Sequence, residues 1–272
     1  MNNADFLPFA SEIARDAGAL LLQHFQRVAV EYKGDYDIVT AADRASEDLV
    51  VGRLKSRYPS HSIVAEEGTG VDRDSEYVWY VDPLDGTTNF AHNVPVFSVS
   101  IGLEKNGERI VGVVYDPSRD EFFTAEKGSG AYLNNRRIKV STIATAEAGL
   151  FASGFPAHMR NIDGNIHYFH QISALTHGGR RFGSAALDLC WVACGRLEGF
   201  WEFGLKSWDV SAGLAINAEA GGRVTDMAGG PYRSGEGHMA ATNGLVHDEM
   251  LALFARISRG EMIAHTPSVQ EL

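Results

Sequence analysis

Cysteine and basic residues are both scarce in this chain of 272 residues. Its two cysteines, Cys190 and Cys194, stand four positions apart in a segment with helical spacing. We expect them to be reduced core residues, because a disulfide framework or a zinc site needs more ligands. Lysine and arginine number 24 against 35 acidic residues, which gives a formal net charge of −11. Attraction to nucleic-acid phosphates needs basic side chains, so this deficit argues against direct binding of nucleic acid.

Long apolar runs are absent as well. No uninterrupted stretch approaches the length that a membrane-spanning helix requires, so we expect no membrane partner. The first residues include Asp5 and Glu12 and lack the apolar region of a signal peptide. With 44% hydrophobic and 22% charged residues, the composition is that of an ordinary globular protein. We therefore predict a cytoplasmic protein.

Two common nucleotide-binding motifs are missing or unsupported. No G-x-x-x-x-G-K-S/T loop occurs, which argues against a nucleotide-driven kinase. The segment 235–240 (GEGHMA) has the glycine spacing of a dinucleotide-binding loop, but no strand pattern precedes it. We interpret that match as chance.

The hydrophobic spacing predicts an α/β fold with a large antiparallel component. Between residues 96 and 140, short β-branched and aromatic runs are separated by Asn106-Gly107 and Asn134-Asn135, which are typical hairpin signals. Helical spacing dominates elsewhere. The predicted helices are 4–25, 40–59, 165–177, 184–197, 209–222 and 247–257, and the predicted strands are 61–67, 77–82, 96–104, 109–117, 121–126, 131–135, 198–203, 222–227 and 238–243.

These elements predict one domain made of two packed halves. We expect the domain to span residues 1–265, with halves of about 1–145 and 146–265, because no low-complexity linker separates them. The segment 266–272 is expected to be a loosely held tail.

Acidic residues gather at the ends of predicted elements. The positions are Asp43 in DIVTAAD, Glu66 in HSIVAEE, Asp82 and Asp85 around Pro83-Leu84, and Asp209 in SWDVSAG. Taken singly, each has a simple explanation as a helix cap or turn residue, and for Asp209 an N-cap is the better one. Asp82 is different, because it directly ends an apolar strand, and strand ends line ligand crevices in α/β folds.

Brought together, several of these acids would require cations. The set is Glu66, Asp82, Asp85 and Asp209. Two Mg²⁺ ions would balance four carboxylates, and the absence of histidine and cysteine from the set favours Mg²⁺ or Mn²⁺ over Zn²⁺. Pro83 fixes one backbone angle, so both neighbouring aspartates can reach the ions from one turn, with the carbonyl of Leu84 available as a further ligand.

Two predicted helix starts suggest an anion site beside these acids. Gly86 permits a sharp turn, and Thr87 can begin a helix. A second helix opens at Gly183-Ser184-Ala185. Helix N-termini bind anions, so the combination predicts a clamp for a phosphate monoester that is attacked in line by a metal-activated water.

Several of these motifs also carry a family resemblance. DPLDGTTNF (82–90), AEE (65–67), DIVTAAD (37–43), WDVSAG (208–213) and AEAGG (218–222) resemble the inositol monophosphatase family of Mg²⁺-dependent, lithium-sensitive phosphatases. The resemblance covers nearly the whole chain in the right order. It implies a layered αβαβα fold, a homodimer, and a single catalytic domain that hydrolyses a phosphate monoester without a covalent phosphoenzyme. Inositol monophosphate is the substrate that it implies first.

The resemblance also implies a role for each matched position. Two or three Mg²⁺ ions, or Mn²⁺, would be held by Glu66, Asp82, the Leu84 carbonyl, Asp85 and Asp209. Glu66 and Thr87 would orient the attacking water, with Asp43 accepting the Thr87 hydroxyl proton. Gly86, Thr87, Gly183, Ser184 and Ala185 would hold phosphate. Glu202 would bind inositol hydroxyls, with Asp85 and Asp209 also on the substrate side.

Other functions stay open on the sequence. DPLDGTT superficially resembles the D-x-D-G-T of haloacid dehalogenase phosphatases, but its D-x-x-D spacing, far from the chain start, argues against an aspartyl-phosphate intermediate. Fructose-1,6-bisphosphatase or histidinol-phosphate phosphatase activity would suit the same scaffold. A regulatory protein, or a protein-binding partner of RNA machinery, is the alternative from another class.

Overall fold

The computed structural model describes residues 5–27, 30–32, 38–155, 164–235 and 237–265. The predicted tail 266–272 lies outside these residues. The helices in the described part are α1 (Phe6–His24), α2 (Ala41–Arg57), α3 (Thr87–Ala91), α4 (Asn165–Leu175), α5 (Ala185–Ala193), α6 (Ser207–Glu219) and α7 (His247–Ser258). Every predicted helix is confirmed. None of the helices in the described ranges is long and apolar enough to span a membrane.

The described strands form three sheets. They are β1 (Val30–Tyr32), β2 (Ile38–Thr40), β3 (Ser62–Ala65), β4 (Tyr77–Asp85), β5 (Ser98–Lys105), β6 (Glu108–Asp116), β7 (Glu121–Glu126), β8 (Gly130–Leu133), β9 (Arg136–Ile138), β10 (Leu150–Ser153), β11 (Gly178–Arg180), β12 (Gly199–Phe203), β13 (Arg223–Asp226) and β14 (His238–Thr242). The first sheet, β3 to β9 in chain order, has seven strands and is antiparallel except for the β3–β4 pair. The second has the order β11-β10-β12-β14-β13, and β1 and β2 form a small hairpin.

Helices and sheets alternate in five layers. Helices α1 and α2 pack on one face of the first sheet, while α5 and α6 fill the space between the two sheets. Helices α4 and α7 cover the outer face of the second sheet, where Phe151, Trp201 and Phe254 are fully buried. The expected αβαβα fold is therefore confirmed. The division into halves near residue 145 stays a prediction.

Helix α2 begins where the sequence predicts, because Thr40 and Asp43 form a reciprocal cap. The Thr40 hydroxyl accepts the Ala42 N–H at 3.2 Å. One carboxylate oxygen of Asp43 accepts from the Thr40 N–H at 2.8 Å and from its hydroxyl at 2.6 Å. These bonds use free donors of the first helical turn and fix the orientation of a fully buried Asp43.

The predicted hairpins of the first sheet are present. The turns at Asn106-Gly107 and Asn134-Asn135 adopt positive φ at both central residues, with values of 51° and 77° and of 48° and 62°. Two positive φ angles match the right-handed twist of the flanking strands, which is why such turns join adjacent strands tightly.

The structure departs from the sequence prediction at the end of β4. The prediction ends that strand at Asp82 and places a turn at Pro83, whereas the strand continues to Asp85. Its register with β5 shifts between Asp82, which faces Ser100, and Asp85, which faces Ser98. Proline lacks an N–H, so it is tolerated at such an irregularity, and the two aspartates are set on an extended bulged segment rather than on a turn.

Candidate active site

Two buried aspartates flank the bulge of β4. Asp82 and Asp85 are 2% and 9% exposed. Asp82 accepts the Leu84 N–H at 3.1 Å, while the Pro83 carbonyl accepts the Ser46 hydroxyl at 2.8 Å. Hydrogen bonds within β4 and from α2 thus hold the bulge in place.

Thr87 connects this bulge to Asp43. Its hydroxyl lies 2.9 Å from one Asp43 carboxylate oxygen and 3.1 Å from the Leu84 carbonyl oxygen, so both are acceptors for its single proton. Gly86 makes the approach possible with a φ of 97°. A Cβ at Gly86 would also stand only 2.8 Å from the Val96 carbonyl oxygen, so a side chain there would displace the segment.

The start of α5 meets Asp85 directly. One Asp85 carboxylate oxygen accepts the Ser184 hydroxyl at 2.6 Å and the Ala186 N–H at 2.8 Å. The other accepts the Ala185 N–H at 3.3 Å. The structure therefore brings the predicted phosphate-binding segment 183–185 to the site, with donors of this helix start aimed at a carboxylate.

Glu66 and Asp209 complete the predicted set of acids. Glu66 directly follows β3, and its N–H donates to the Val81 carbonyl at 3.3 Å, which joins it to β4 next to Asp82. Asp209 is the third residue of α6 and accepts the Lys206 N–H at 2.7 Å. It is thus not the N-cap residue itself, although it satisfies a backbone donor just before the helix.

The acids share one electrostatic environment. Burial, followed by the negative charges of Glu66, Asp85 and Asp209, raises the pKa of Asp82 well above its ordinary value. Burial raises the pKa of Asp85 to about 6, opposed by its hydrogen bonds from α5, and raises that of Asp209 to about 7, opposed by the Lys206 N–H. These carboxylates repel one another in a desolvated site, and positive charge would relieve that repulsion.

The chemistry of this donor set fits hard divalent cations. Within the described ranges, no three His, Cys, Asp or Glu side chains are arranged to hold one metal ion. The carboxylates lie close enough to affect one another's pKa values, but they do not form a complete coordination shell. To bind a shared ion, the side chains would have to rotate, or the Leu84 carbonyl and water would have to supply the remaining ligands. Oxygen ligands and excess negative charge suit Mg²⁺ or Mn²⁺.

Glu202 lies in the second sheet, and its charge acts on Asp188 of α5. It lies in β12, is buried, and packs so closely on Gly154 that a Cβ there would stand 2.0 Å from its carboxylate oxygen. Only glycine leaves room for this side chain at position 154, directly after β10.

Asp188, a buried acidic residue close to the site, is not identified by the sequence analysis. Asp188 in α5 is 1% exposed, and one of its carboxylate oxygens has no hydrogen-bond partner among the residues that the structure describes. Burial, followed by the charges of Glu202 and Asp85, raises its pKa well above the ordinary value, while Arg181 opposes the shift. Asp188 is therefore a near neighbour of Glu202 and Asp85, two of the three predicted substrate-side acids. The sequence feature that could have identified Asp188 is an acidic residue inside the apolar run AALDLCWVA.

The raised pKa of Asp209 predicts how stability without metal depends on pH. A folded-state pKa of about 7, against an ordinary 3.8, means that the folded chain binds this proton more tightly. The associated stability is present below the ordinary value and is lost as pH rises through about 7. In EDTA, Asp209→Asn should therefore gain melting temperature relative to the parent chain, by a few degrees, between about pH 5 and about pH 8.

Thermal denaturation of both chains across this pH range checks the prediction. Asp74→Asn removes an exposed carboxylate and is the matched control, for which we expect a constant difference from the parent chain. A difference for Asp209→Asn that stays flat or shrinks with rising pH would contradict the assigned shift.

Comparison with known proteins places this geometry in a family. Residues 2–259 match the model of the inositol monophosphatase family. An inositol-1-monophosphatase of Mesorhizobium japonicum is 42% identical over 245 residues, which cover 88% of this chain and 92% of that protein. A Pseudomonas aeruginosa protein named Nus factor SuhB is 43% identical over 246 residues, 87% of this chain and 91% of that one.

A solved structure agrees with the sequence relatives. The inositol monophosphatase from Anabaena superposes with a TM-score of 0.86 at 44% identity, covering 94% of this chain and 97% of that one. The family model, the sequence relatives and the superposed structure all indicate the same family, which supports phosphatase activity. The chain belongs to the inositol monophosphatase family.

Proposed function

We propose that this protein hydrolyses a phosphate monoester in a Mg²⁺-dependent reaction, and that inositol monophosphate is its preferred substrate. The carrying observation is the Asp43–Thr87–Leu84 network, which holds a hydroxyl group beside the buried acids of the β4 bulge. Inositol-1-monophosphatase is the printed name of relatives from Mesorhizobium japonicum and from Synechocystis.

The Thr87 hydroxyl is oriented to position a water molecule. Its proton is committed to Asp43 and the Leu84 carbonyl, so the lone pairs of its oxygen are left to accept a hydrogen from water. Asp43 keeps this orientation because Thr40 holds its other oxygen. Glu66 would accept the other proton of that water as general base while the water oxygen bonds to phosphorus without a covalent phosphoenzyme. The P–O bond to the alcohol would break on the opposite side of phosphorus, and the departing alcohol oxygen would take a proton from solvent water.

Two or three cations would be held by the oxygens already described. These are the carboxylates of Glu66, Asp82, Asp85 and Asp209 and the carbonyl of Leu84. When bound, Mg²⁺ supplies positive charge to the phosphate oxygens and makes a nearby water more acidic.

The two helix starts would both contact the phosphate. Gly86 and Thr87 present N–H groups at the start of α3, and Gly183, Ser184 and Ala185 form the start of α5. The Ala185 N–H makes only a long contact of 3.3 Å with Asp85, so a phosphate oxygen can compete for it. Asp85 and Asp209 would contact the substrate from the metal side.

The hydrolysis proposal is tested with a substrate panel in Mg²⁺. We expect kcat/KM for inositol 1-phosphate to exceed that for fructose 1,6-bisphosphate and histidinol phosphate. A higher value for either of those two would support the corresponding alternative on the same scaffold. Loss of all phosphate release on adding EDTA, restored by Mg²⁺ or Mn²⁺, is the expected control.

Glu202→Gln should change selectivity rather than chemistry. A carboxylate accepts hydrogen bonds from sugar hydroxyls better than an amide does, so kcat/KM for inositol 1-phosphate should fall by about tenfold. Hydrolysis of an aryl phosphate, which has no such hydroxyls, should stay near the parent value. Equal loss on both substrates would show that Glu202 is structural. Exposed Glu147→Gln should alter neither.

A protein-binding role is the second candidate function. It is favoured by relatives named Nus factor SuhB in Pseudomonas aeruginosa and Vibrio cholerae. Such a role would use protein contacts, since the net charge of −11 disfavours direct binding of nucleic acid. A purified chain that binds Mg²⁺ but releases no phosphate from any substrate of the panel would favour this role. A cytoplasmic homodimer is proposed in either case.

A further inference from the structure

Three buried polar residues of α2 face the site. Asp43, Ser46 and Glu47 are each 0% exposed. Spacings of three and four residues place them on one side of the helix. We call these three residues the tether face of α2, because each one holds a different segment of the site. Asp43 holds Thr87, whose hydroxyl donates to it at 2.9 Å.

Glu47 holds the turn that follows Glu66. One of its carboxylate oxygens accepts the Glu67 N–H at 2.7 Å, and the other accepts the Thr69 N–H at 2.8 Å. Burying a carboxylate is costly unless hydrogen bonds compensate it, so two short charge-assisted bonds to one turn make a firm clamp. The backbone on the C-terminal side of Glu66 is thereby fixed to α2.

The same turn is fixed on its other side by β4. The Glu66 N–H donates to the Val81 carbonyl at 3.3 Å. The Cα of Glu66 therefore lies between two anchored N–H groups, its own and that of Glu67. Because the backbone is held on both sides of this Cα, the Glu66 carboxylate has fewer positions available to it.

Ser46 holds the bulge in the same way. Its hydroxyl donates to the Pro83 carbonyl at 2.8 Å. The next carbonyl, that of Leu84, accepts the Thr87 hydroxyl. The two carbonyls are consecutive in the bulge, so anchoring the Pro83 carbonyl to α2 restricts the positions available to the Leu84 carbonyl.

We propose that Glu47 and Ser46 are positioning residues that set the oxygens of Glu66 and Leu84 for divalent cations. The inference rests on the metal-dependent part of the proposed function. Neither residue is expected to touch an ion. Partners behind metal ligands typically change metal affinity by about 10–100-fold when they are removed.

Metal titration of the full chain tests this inference. Calorimetric titration of the EDTA-treated, dialysed protein with Mn²⁺ or Mg²⁺ gives a Kd without any substrate. We expect Glu47→Gln to weaken that Kd by about tenfold or more, because the amide N–H₂ would face a backbone N–H. Glu47→Asp should recover part of the loss. Ser46→Ala should weaken the Kd by several-fold, about what one lost hydrogen bond gives.

A matched control separates positioning from a structural role. Asp48→Asn removes a carboxylate one residue away on the exposed side of α2 and should leave the Kd unchanged. Denaturant unfolding in EDTA, measured in parallel, reports stability alone. A lowered stability with parent-like metal affinity in both Glu47→Gln and Ser46→Ala would overturn the inference. If Glu47→Gln does not fold, the metal Kd of Ser46→Ala decides.

The two proposals fail in different ways. Parent-like metal affinity in the variants, with full phosphatase activity of the parent chain, contradicts only the positioning role. Weakened metal affinity in the variants, with no phosphatase activity in the parent chain, supports the positioning role and contradicts the proposed hydrolysis. A parent chain that takes up no ion overturns both.

Discussion

Replacing Asp85 with asparagine should nearly abolish turnover, with kcat lower by about three orders of magnitude, since cation stabilisation of the transition state is worth several kcal/mol. Asp85 sits on the β4 bulge with both carboxylate oxygens engaged by the start of α5. The amide keeps the shape but removes the charge that offsets a cation. It also turns an N–H₂ group toward backbone donors. The measurement is steady-state kinetics at saturating Mg²⁺ with inositol 1-phosphate.

Two controls make the Asp85 result specific. The melting temperature in EDTA should remain close to the parent value, because two effects of the substitution oppose each other. Removing a buried charge, whose cost raises the pKa of this carboxyl to about 6, offsets the hydrogen bonds from α5 that the amide loses. Exposed Asp74→Asn should keep full activity. A near-normal kcat in Asp85→Asn would rule out the assignment of Asp85 to the metals.

Removing the Thr87 hydroxyl should lower kcat far more than it raises KM. Thr87→Ala deletes the group that is fixed by Asp43 and the Leu84 carbonyl, so an attacking water would lose an acceptor that matters mainly in the transition state. Loss of one positioned group of this kind costs about 10²–10³ in kcat. The comparison of kcat and KM under single-substrate kinetics checks it.

Conservative variants identify the cause of the Thr87 effect. Thr87→Ser keeps the hydroxyl and should retain much of the activity. Thr88→Ala changes the exposed neighbour in the same helix and should behave like the parent chain. A change in KM alone for Thr87→Ala would show that the hydroxyl binds substrate and does not position water.

The sequence predicts the fold where local signals and tertiary packing agree. Helix α2 is predicted because Thr40 caps an amphipathic segment, and the β5–β6 hairpin because Asn106-Gly107 can take positive φ. The β1–β2 hairpin and strands β9, β10 and β11 are not predicted. They are three or four residues long, and β11 is Gly178-Gly179-Arg180, which has no alternating side-chain pattern. Only pairing with a neighbouring strand defines it as a strand.

The sequence predicts which acidic residues form the site, but it does not predict the hydrogen bonds that hold them. Asp82 and Asp85 are visible because they interrupt an apolar strand. Glu47 and Asp188 are not, because an acid in a helical segment usually marks a solvent face, and their burial depends on distant segments packing over them. The bonds from the start of α5 to Asp85 join residues about a hundred positions apart, and no local pattern encodes them.

Glu202 comes from the second sheet, whereas Asp82 and Asp85 come from the first. The leaving alcohol and the phosphorus would therefore be served by separate layers of the molecule. Substitutions along β12 can then alter which alcohol is accepted while the machinery on the bulge stays intact. Under the proposed function, this separation would allow substitutions in β12 alone to change which phosphorylated compound is preferred.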